Sequence, residues 1–142
     1  MPDRKTLKVA AGILVEGGQV LCMQRGAGNS EAAFHYEFPG GKIEAGENGS
    51  QALMRELAEE MEIHVPVTEA DRFMTVSCAY EHFDLQMITY LLHVPTRQFV
   101  RKEHISHCWM DPGSLLTLDW APADRPVAEK LSATFQENGF ML

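Results

Sequence analysis

Residues 40–63 constrain the fold more than any other part of the chain, because a glycine-rich turn there leads directly into an amphipathic helix. Asn48 is a favourable N-cap residue, and Gln51 three positions later completes the pattern of a capping box. An apolar residue then recurs at every fourth position, at Leu53, Leu57 and Met61. This period predicts a helix that buries one face against the rest of the protein.

The polar side of this helix concentrates three carboxylates, at Glu56, Glu59 and Glu60. Glu56 and Glu60 share a face at the i,i+4 spacing, where like charges cost roughly 0.2–0.5 kcal/mol per pair. Clustered carboxylates are typical ligands of hard cations such as Mg²⁺, with Mn²⁺ as the alternative ion. Glutamate-rich helices are also common as solvated surfaces, so the helix alone leaves both interpretations open.

The loop before the helix favours the metal site. Gly40, Gly41 and Gly46 permit tight turns and close backbone approach, and Glu47 adds a fourth carboxylate. The whole stretch resembles the Nudix box, Gly-x5-Glu-x7-Arg-Glu-U-x-Glu-Glu-x-Gly-U with U aliphatic. The matching positions are Gly41, Glu47, Arg55, Glu56, Leu57, Glu59, Glu60 and Ile63. Glu62 departs from the pattern, because it stands where the family has the glycine that ends the helix.

Length and composition predict a single domain over residues 1–142. The net charge of −8 argues against a nucleic-acid polymer as partner, and an anionic substrate would need cations as mediators. The three cysteines show neither disulfide nor zinc spacing, which indicates reduced thiols in a cytoplasmic protein. The sequence shows neither a signal peptide nor an apolar run of membrane-spanning length.

Several apolar runs away from the box are expected to form strands. Gly17 and Gly18 predict a hairpin turn between the first two runs. Pro126 in the first turn and an apolar stripe at every fourth position predict a final helix over residues 125–136. The strand candidates are 7–15, 19–24, 34–38, 63–67, 73–80 and 85–94, whereas 99–108 is mostly polar and is left without an assigned element.

Strands, a helix, more strands and a final helix predict an α/β fold with a mixed sheet between helices. The resemblance implies the same fold, since Nudix domains are α/β/α sandwiches. Residues 37–44 resemble the MutT-like subgroup, whose substrates are nucleoside triphosphates. Lys102-Glu103, Trp109 and residues 122–127 are also similar to that subgroup, so the resemblance covers most of the chain.

The resemblance implies a metal-binding set made of Glu56, Glu59, Glu60 and the carbonyl of Gly40, with Glu59 also able to reach a second ion or to position water. Arg55 resembles an arginine that orients a box glutamate, although a surface pair with Glu59 is the equally weighted alternative. Glu47 is expected to brace the loop or to approach a second metal ion.

A distal carboxylate, Glu103, occupies the subgroup position of a further metal ligand or general base, although a solvated loop residue is the alternative. The resemblance assigns no role to His104 or His107, which are expected to be structural or exposed.

The substrate is expected to contact residues from several elements. Arg25 resembles a basic residue near the substrate phosphates, and Glu37 belongs to the subgroup motif. Phe38, Leu7 and Val9 correspond to the wall of a base pocket, with ordinary core packing as the alternative. Asp124 matches a residue that faces the edge of the base, with a helix N-cap as the alternative; as an ionised group it would accept hydrogen bonds only and favour bases that present N–H groups.

The resemblance implies a Mg²⁺-dependent pyrophosphohydrolase that releases a nucleoside monophosphate and pyrophosphate. Oxidised dGTP and CTP or dCTP are the candidate substrates, and the protein is expected to be a monomer or homodimer. The alternatives are hydrolysis of another nucleoside diphosphate derivative, such as a nucleotide sugar, and a catalytically silent domain that senses a nucleotide.

Overall fold

The structure is a computed structural model that describes residues 5–28 and 33–138. The strands are β1 (Lys5–Glu16), β2 (Gln19–Gln24), β3 (Tyr36–Glu37), β4 (Gly40–Lys42), β5 (Arg72–Ala79), β6 (Phe83–His93) and β7 (Ser106–Met110). The helices are α1 (Gly49–Met61) and α2 (Arg125–Asn138), and two short 3₁₀ turns lie at Glu69–Asp71 and Pro112–Thr117.

All the strands belong to one mixed sheet that is built around β1. This strand runs parallel to β6 along most of its length and antiparallel to β2 and β4 on its other side. β5 and β6 form an antiparallel pair at one end of the sheet, and β3 and β7 both pair with β2. A strand buried on both faces is expected to be nearly continuous in apolar residues, as β1 is from Val9 to Val15.

The two helices cover opposite faces of the sheet. Alternate β1 residues such as Ile13 and Val15 pack in a cluster with Val127 and Leu131 of α2. Leu14, whose side chain points to the opposite face of the sheet, packs in a second cluster with the α1 residues Leu53, Leu57 and Met61. The prediction of an α/β/α sandwich with a mixed sheet is therefore confirmed, because side chains of one strand point alternately to the two layers.

Helix α1 begins and ends where the box predicts. Asn48 accepts from the Gln51 backbone N–H at 2.9 Å, while the Gln51 side chain accepts from the Asn48 backbone N–H at 2.9 Å. At the other end Glu62 adopts the left-handed conformation, with φ 55° and ψ 36°. The helix therefore ends without glycine, although a left-handed residue with a Cβ costs roughly 1–2 kcal/mol.

Two local predictions are wrong, and one stretch without an assigned element contains part of a strand. Residues 63–67 form no strand; Pro66 lacks an N–H for a ladder, and Val67 is buried as a core side chain instead. The polar stretch 99–108 contains the start of β7, which lies against β2 and leaves the His107 side chain exposed. Of residues 34–38 only two form a strand, and Phe34 has a positive φ of 63°.

The hairpin and the last helix follow the predictions closely. Gly17 and Gly18 both have positive φ, as a tight two-residue turn requires, and Val15 pairs with Val20 across it. Helix α2 starts at Arg125 as predicted and extends two residues further, to Asn138. No helix in the described part of the chain is both long and apolar enough to cross a membrane.

Candidate functional site

Gly40 lines two cavities of different chemistry. We call the smaller one the acidic cavity; its volume is about 20 Å³, and its walls include Gly40, Glu56, Glu60 and Glu103. We call the larger one the apolar cavity; it encloses about 510 Å³ and is lined by residues from β1, β3, β4, the β5–β6 hairpin and the segment before α2. One small residue thus belongs to both sites.

Like charges meet in the acidic cavity. The pKa of Glu60 is raised, first by desolvation and then by the neighbouring charges of Glu103 and Glu56. A raised pKa means that the ionised form of Glu60 is disfavoured unless a cation joins the group. The structure thus brings Glu103, 43 positions along the chain from Glu60, into contact with the helix carboxylates.

The glycine turn holds Glu56 at the edge of this cavity. A Cβ on Gly41 would collide with the carboxylate of Glu56, so only glycine allows this approach. Arg55 fixes the other side of the carboxylate, since its Nη1 lies 3.0 Å from Glu56 Oε1. The backbone and one guanidinium therefore set the orientation of Glu56.

Arg55 performs both of the roles weighed from the sequence. Its Nε and Nη2 bind the two oxygens of Glu47 at 2.7 and 3.0 Å. Its Nη1 also contacts Glu59 at 3.3 Å, which is the i,i+4 pair, and its Nη2 donates to the Lys42 carbonyl at 2.9 Å. Bonds from Arg55 and from the Glu44 backbone N–H hold the pKa of Glu47 below its ordinary value. Glu47 thus braces the loop by binding both Arg55 of α1 and the backbone of the loop itself.

The donor types of the acidic cavity fit a hard divalent cation, because carboxylate oxygens and a backbone carbonyl are the ligands that Mg²⁺ prefers. Within residues 5–28 and 33–138, no three acidic, histidine or cysteine side chains are arranged to hold an ion as they stand. Glu59 does not line the cavity, and its side chain is 56% exposed.

Two neighbouring strands and the rings of Phe38, Tyr80 and Phe83 form walls of the apolar cavity. Leu7 and Val9 of β1 lie beside Leu85 and Met87 of β6 in register, and all four line the cavity. Phe38 stacks on Trp120 with ring centroids 4.7 Å apart. Tyr80 and Phe83 form a second stacked pair at 5.1 Å and line the cavity as well. Flat apolar walls of this kind suit an aromatic ring.

Asp124 supplies a buried carboxyl group to the apolar cavity. Its Oδ1 accepts from the backbone N–H of Phe38 at 3.0 Å. Burial raises the pKa of Asp124 to about 8, an effect that the Phe38 bond opposes and the charge of Glu37 reinforces. The prediction of an ionised Asp124 that only accepts hydrogen bonds leaves out this burial, which favours the neutral carboxyl group. A neutral carboxyl can both donate and accept.

Asp124 also stands at the start of α2, as the N-cap alternative requires. Its backbone carbonyl accepts from the Ala128 N–H at 3.1 Å, which is the first helical bond. The side chain, however, accepts a hydrogen bond from the backbone N–H of Phe38, which lies between β3 and β4. The carboxyl group therefore joins the helix start to the cavity wall.

Glu37 links the cavities through its two oxygens. Oε1 lies 3.3 Å from Nη1 of Arg25, and Oε2 lies 2.8 Å from Nε2 of His104. His104 lines the acidic cavity, while Arg25 and Glu37 line the apolar one. His104, which was expected from the sequence to be structural or exposed, is mostly buried and contacts Glu37 beside the acidic cavity. His107 contacts Arg101 at 3.0 Å.

A model of the NUDIX domain matches residues 6–131 of the chain. The chain is 35% identical over 133 residues to a CTP pyrophosphohydrolase of Escherichia coli, which covers 91% of this chain and 93% of the relative. It is 32% identical over 130 residues to an 8-oxo-dGTP diphosphatase of Haemophilus influenzae, with the same shares covered. Both alignments include the box and extend far beyond it.

Solved structures give the same result. The solution structure of the Escherichia coli ORF135 protein superposes with a TM-score of 0.77 and 31% identity, over 95% of this chain and 94% of the other. The likeness therefore covers the two helices and the sheet together.

Proposed function

The chain belongs to the Nudix hydrolase family, and from this premise we propose that it is a divalent-metal-dependent nucleoside triphosphate pyrophosphohydrolase. The products are a nucleoside monophosphate and pyrophosphate. The candidate substrates are 8-oxo-dGTP and cytidine nucleotides, because the relatives that share about a third of its residues are named for these two activities.

One observation carries the proposal: Gly40 lines both the acidic and the apolar cavity. A nucleotide has an aromatic base at one end and a chain of phosphates at the other. The apolar cavity suits the base, and a divalent cation in the acidic cavity suits the phosphates. Their common wall allows one small molecule to occupy both.

The acidic cavity supports hydrolysis through its own residues. Glu56, Glu60, Glu103 and the Gly40 backbone are the groups that would hold Mg²⁺, and Glu59, outside this set, would reach a further ion or a water molecule. When bound, Mg²⁺ neutralises phosphate charge and lowers the pKa of bound water. Arg55 and Gly41 keep the Glu56 carboxylate oriented throughout, and Glu47 holds Arg55 in place.

Glu103 is the group that we assign to proton removal as well as to metal binding. It approaches the cavity from a loop, whereas Glu56 and Glu60 project from α1. A carboxylate on a separate element can accept a proton from water without disturbing the helix ligands.

The apolar cavity positions the base. Phe38, Leu7 and Val9 form its walls, and Arg25 stands at its polar side with Glu37. A neutral Asp124 presents one O–H donor and one acceptor oxygen, so it accommodates both the amino edge of cytosine and the carbonyl edge of guanine. Selectivity for amino-bearing bases is therefore weaker than an ionised Asp124 would give.

A nucleotide panel with product analysis tests the proposal. The protein is incubated with Mg²⁺ and 8-oxo-dGTP, dGTP, CTP, dCTP or UTP, and pyrophosphate and nucleoside monophosphate are quantified. We expect equal amounts of the two products. The variant Glu60→Gln, which changes a residue of the acidic cavity, should lower the yield of both products. Its matched control is Glu129→Gln on the exposed side of α2, since both changes remove one carboxylate charge from a helix.

Each other outcome of the panel has a definite meaning. Orthophosphate with a nucleoside diphosphate contradicts the proposed reaction. Turnover of a nucleotide sugar without turnover of any triphosphate favours the other class of nucleoside diphosphate derivatives. Mg²⁺-dependent binding without turnover favours a nucleotide sensor.

A further inference from the structure

Glu62 is the one box position where the chain departs from the family pattern, and its side chain has a specific contact. Its backbone takes the left-handed conformation that glycine adopts most easily. Its carboxylate lies 3.3 Å from Nζ of Lys102, on the loop that follows β6. The strained conformation thus accompanies a long-range ion pair.

Lys102 makes a second bond to the same helix end. Its Nζ donates to the Glu59 carbonyl at 2.8 Å. The last turn of α1 contains no basic residue, and its free carbonyls carry partial negative charge. The ammonium group of Lys102 therefore connects its loop to the end of α1, 40 residues away in sequence. Glu62 supplies the charged partner of Lys102 at this helix end, and the Glu59 carbonyl is the neutral one.

The residue next to Lys102 is Glu103, which contacts Glu60 in the acidic cavity. Two carboxylates repel each other, so the loop must be held in place for Glu103 to remain there. His104 holds the other flank, through its 2.8 Å contact with Glu37. Glu103 thus lies between two tethers, one to α1 and one to β3.

We propose that Glu62 and Lys102 form a latch that positions Glu103 at the acidic cavity, so that Glu62 is a positioning residue for divalent metal binding and hydrolysis. The inference rests on the proposed function and deepens it. Glycine at this position ends the helix with less strain and leaves Lys102 with the Glu59 carbonyl alone. The carboxylate of Glu62 thus serves the loop rather than the helix.

Binding of Mn²⁺ to the metal-free protein, followed by electron paramagnetic resonance of the free ion, tests the latch. The variants are Glu62→Gly, Lys102→Met and the double variant, and the readouts are Mn²⁺ affinity, kcat, KM and resistance to urea. We expect Glu62→Gly to weaken Mn²⁺ binding and lower kcat by about fivefold, with KM for the nucleotide unchanged. The same variant should resist urea better, because glycine relieves the left-handed strain.

Lys102→Met distinguishes the latch from a purely electrostatic effect of the removed charge on Mn²⁺ binding. Removal of a positive charge beside a cation site should tighten Mn²⁺ binding if only the electrostatic field matters. The latch requires the opposite, weaker binding. Glu62→Gly should also add little in the Lys102→Met background, because the pair is already broken.

The results distinguish this inference from the proposed function. Wild-type Mn²⁺ affinity and kcat in Glu62→Gly, or tighter binding in Lys102→Met, overturn the latch and leave the hydrolase standing. Absence of both Mn²⁺ binding and nucleotide turnover in the wild-type protein overturns both. Weaker binding in the two single variants, with no additivity, supports the latch.

Discussion

Glu60 and Asp124 show how one functional group acquires two different properties in neighbouring cavities. Both carboxyl groups have a raised pKa. Around Glu60 the pKa is raised first by desolvation and then by the negative charges of Glu103 and Glu56, which a cation can offset. Around Asp124 the main cause is burial against apolar walls, and its polar partner is one backbone N–H. The first group is suited to bind metal, and the second to remain neutral and hydrogen-bond a base.

The cavities also differ in how the chain builds them. Gly40, Glu56 and Glu60 of the acidic cavity come from 21 consecutive residues, and Glu103 joins them from one loop. The apolar cavity draws on residues from Leu7 to Asp124. Changes in the acidic cavity should therefore affect the chemical step on every nucleotide, whereas changes in the apolar cavity should affect the choice among nucleotides.

Glu60→Gln should give the largest effect, and it should affect the acidic cavity but not the apolar one. We expect kcat to fall by about 10³-fold on all nucleotides, because the electrostatic stabilisation of the phosphates is lost. In the absence of divalent ions the free energy of unfolding should rise by about 0.2–0.5 kcal/mol, since like-charge repulsion is relieved. Steady-state kinetics and urea unfolding measure the two quantities. Near-normal kcat at limiting Mg²⁺ contradicts the assignment.

Glu103→Gln tests the part of the acidic cavity that lies outside the box. We expect kcat to fall by about 10²-fold while KM changes little, as for the loss of a general base or distal ligand. The comparison of kcat with KM at saturating Mg²⁺ gives the result. If kcat is unchanged, Glu103 is a solvated loop residue.

Asp124→Ala should affect selectivity rather than the chemical step. We expect kcat/KM for the preferred nucleotide to fall about tenfold more than for UTP. The variant also leaves the Phe38 N–H without its partner, which costs about 1–3 kcal/mol of stability. Asp124→Asn keeps an acceptor and donors and serves as the matched control. Equal losses on all nucleotides remove Asp124 from base recognition.

The pH dependence of stability should reveal the buried carboxyl group directly. Its pKa is about 8 in the folded protein against an ordinary 3.8, so the folded state binds the proton more tightly. The free energy of unfolding should therefore fall as pH rises from about 4 to about 8, by up to about 1.4 kcal/mol per pH unit from this group. Urea unfolding of the wild type and Asp124→Asn across this range isolates the contribution. Parallel curves for the two proteins contradict a neutral Asp124.

The box helix and the β1–β2 hairpin could be predicted because their signals are local. A capping box, a four-residue apolar period and a pair of glycines act over a few residues, and each element appears where its signal lies. The polar stretch 99–108 could not be assigned, since the strand at its end forms by pairing with β2, which is distant in sequence. Residues 63–67 mimic a strand in composition but pack through side chains alone.

The sequence by itself determined the family, the sandwich of two helices around a mixed sheet, and the set of carboxylates available to a cation. These follow from residue types at fixed spacing along one stretch. Only the tertiary structure decided that Glu103 contacts Glu60, that His104 binds Glu37, and that Glu62 pairs with Lys102. It also decided that the pKa of Asp124 is raised, because burial depends on side chains brought together from distant parts of the chain. Spacing carries no information about such contacts, since loop positions are set by packing.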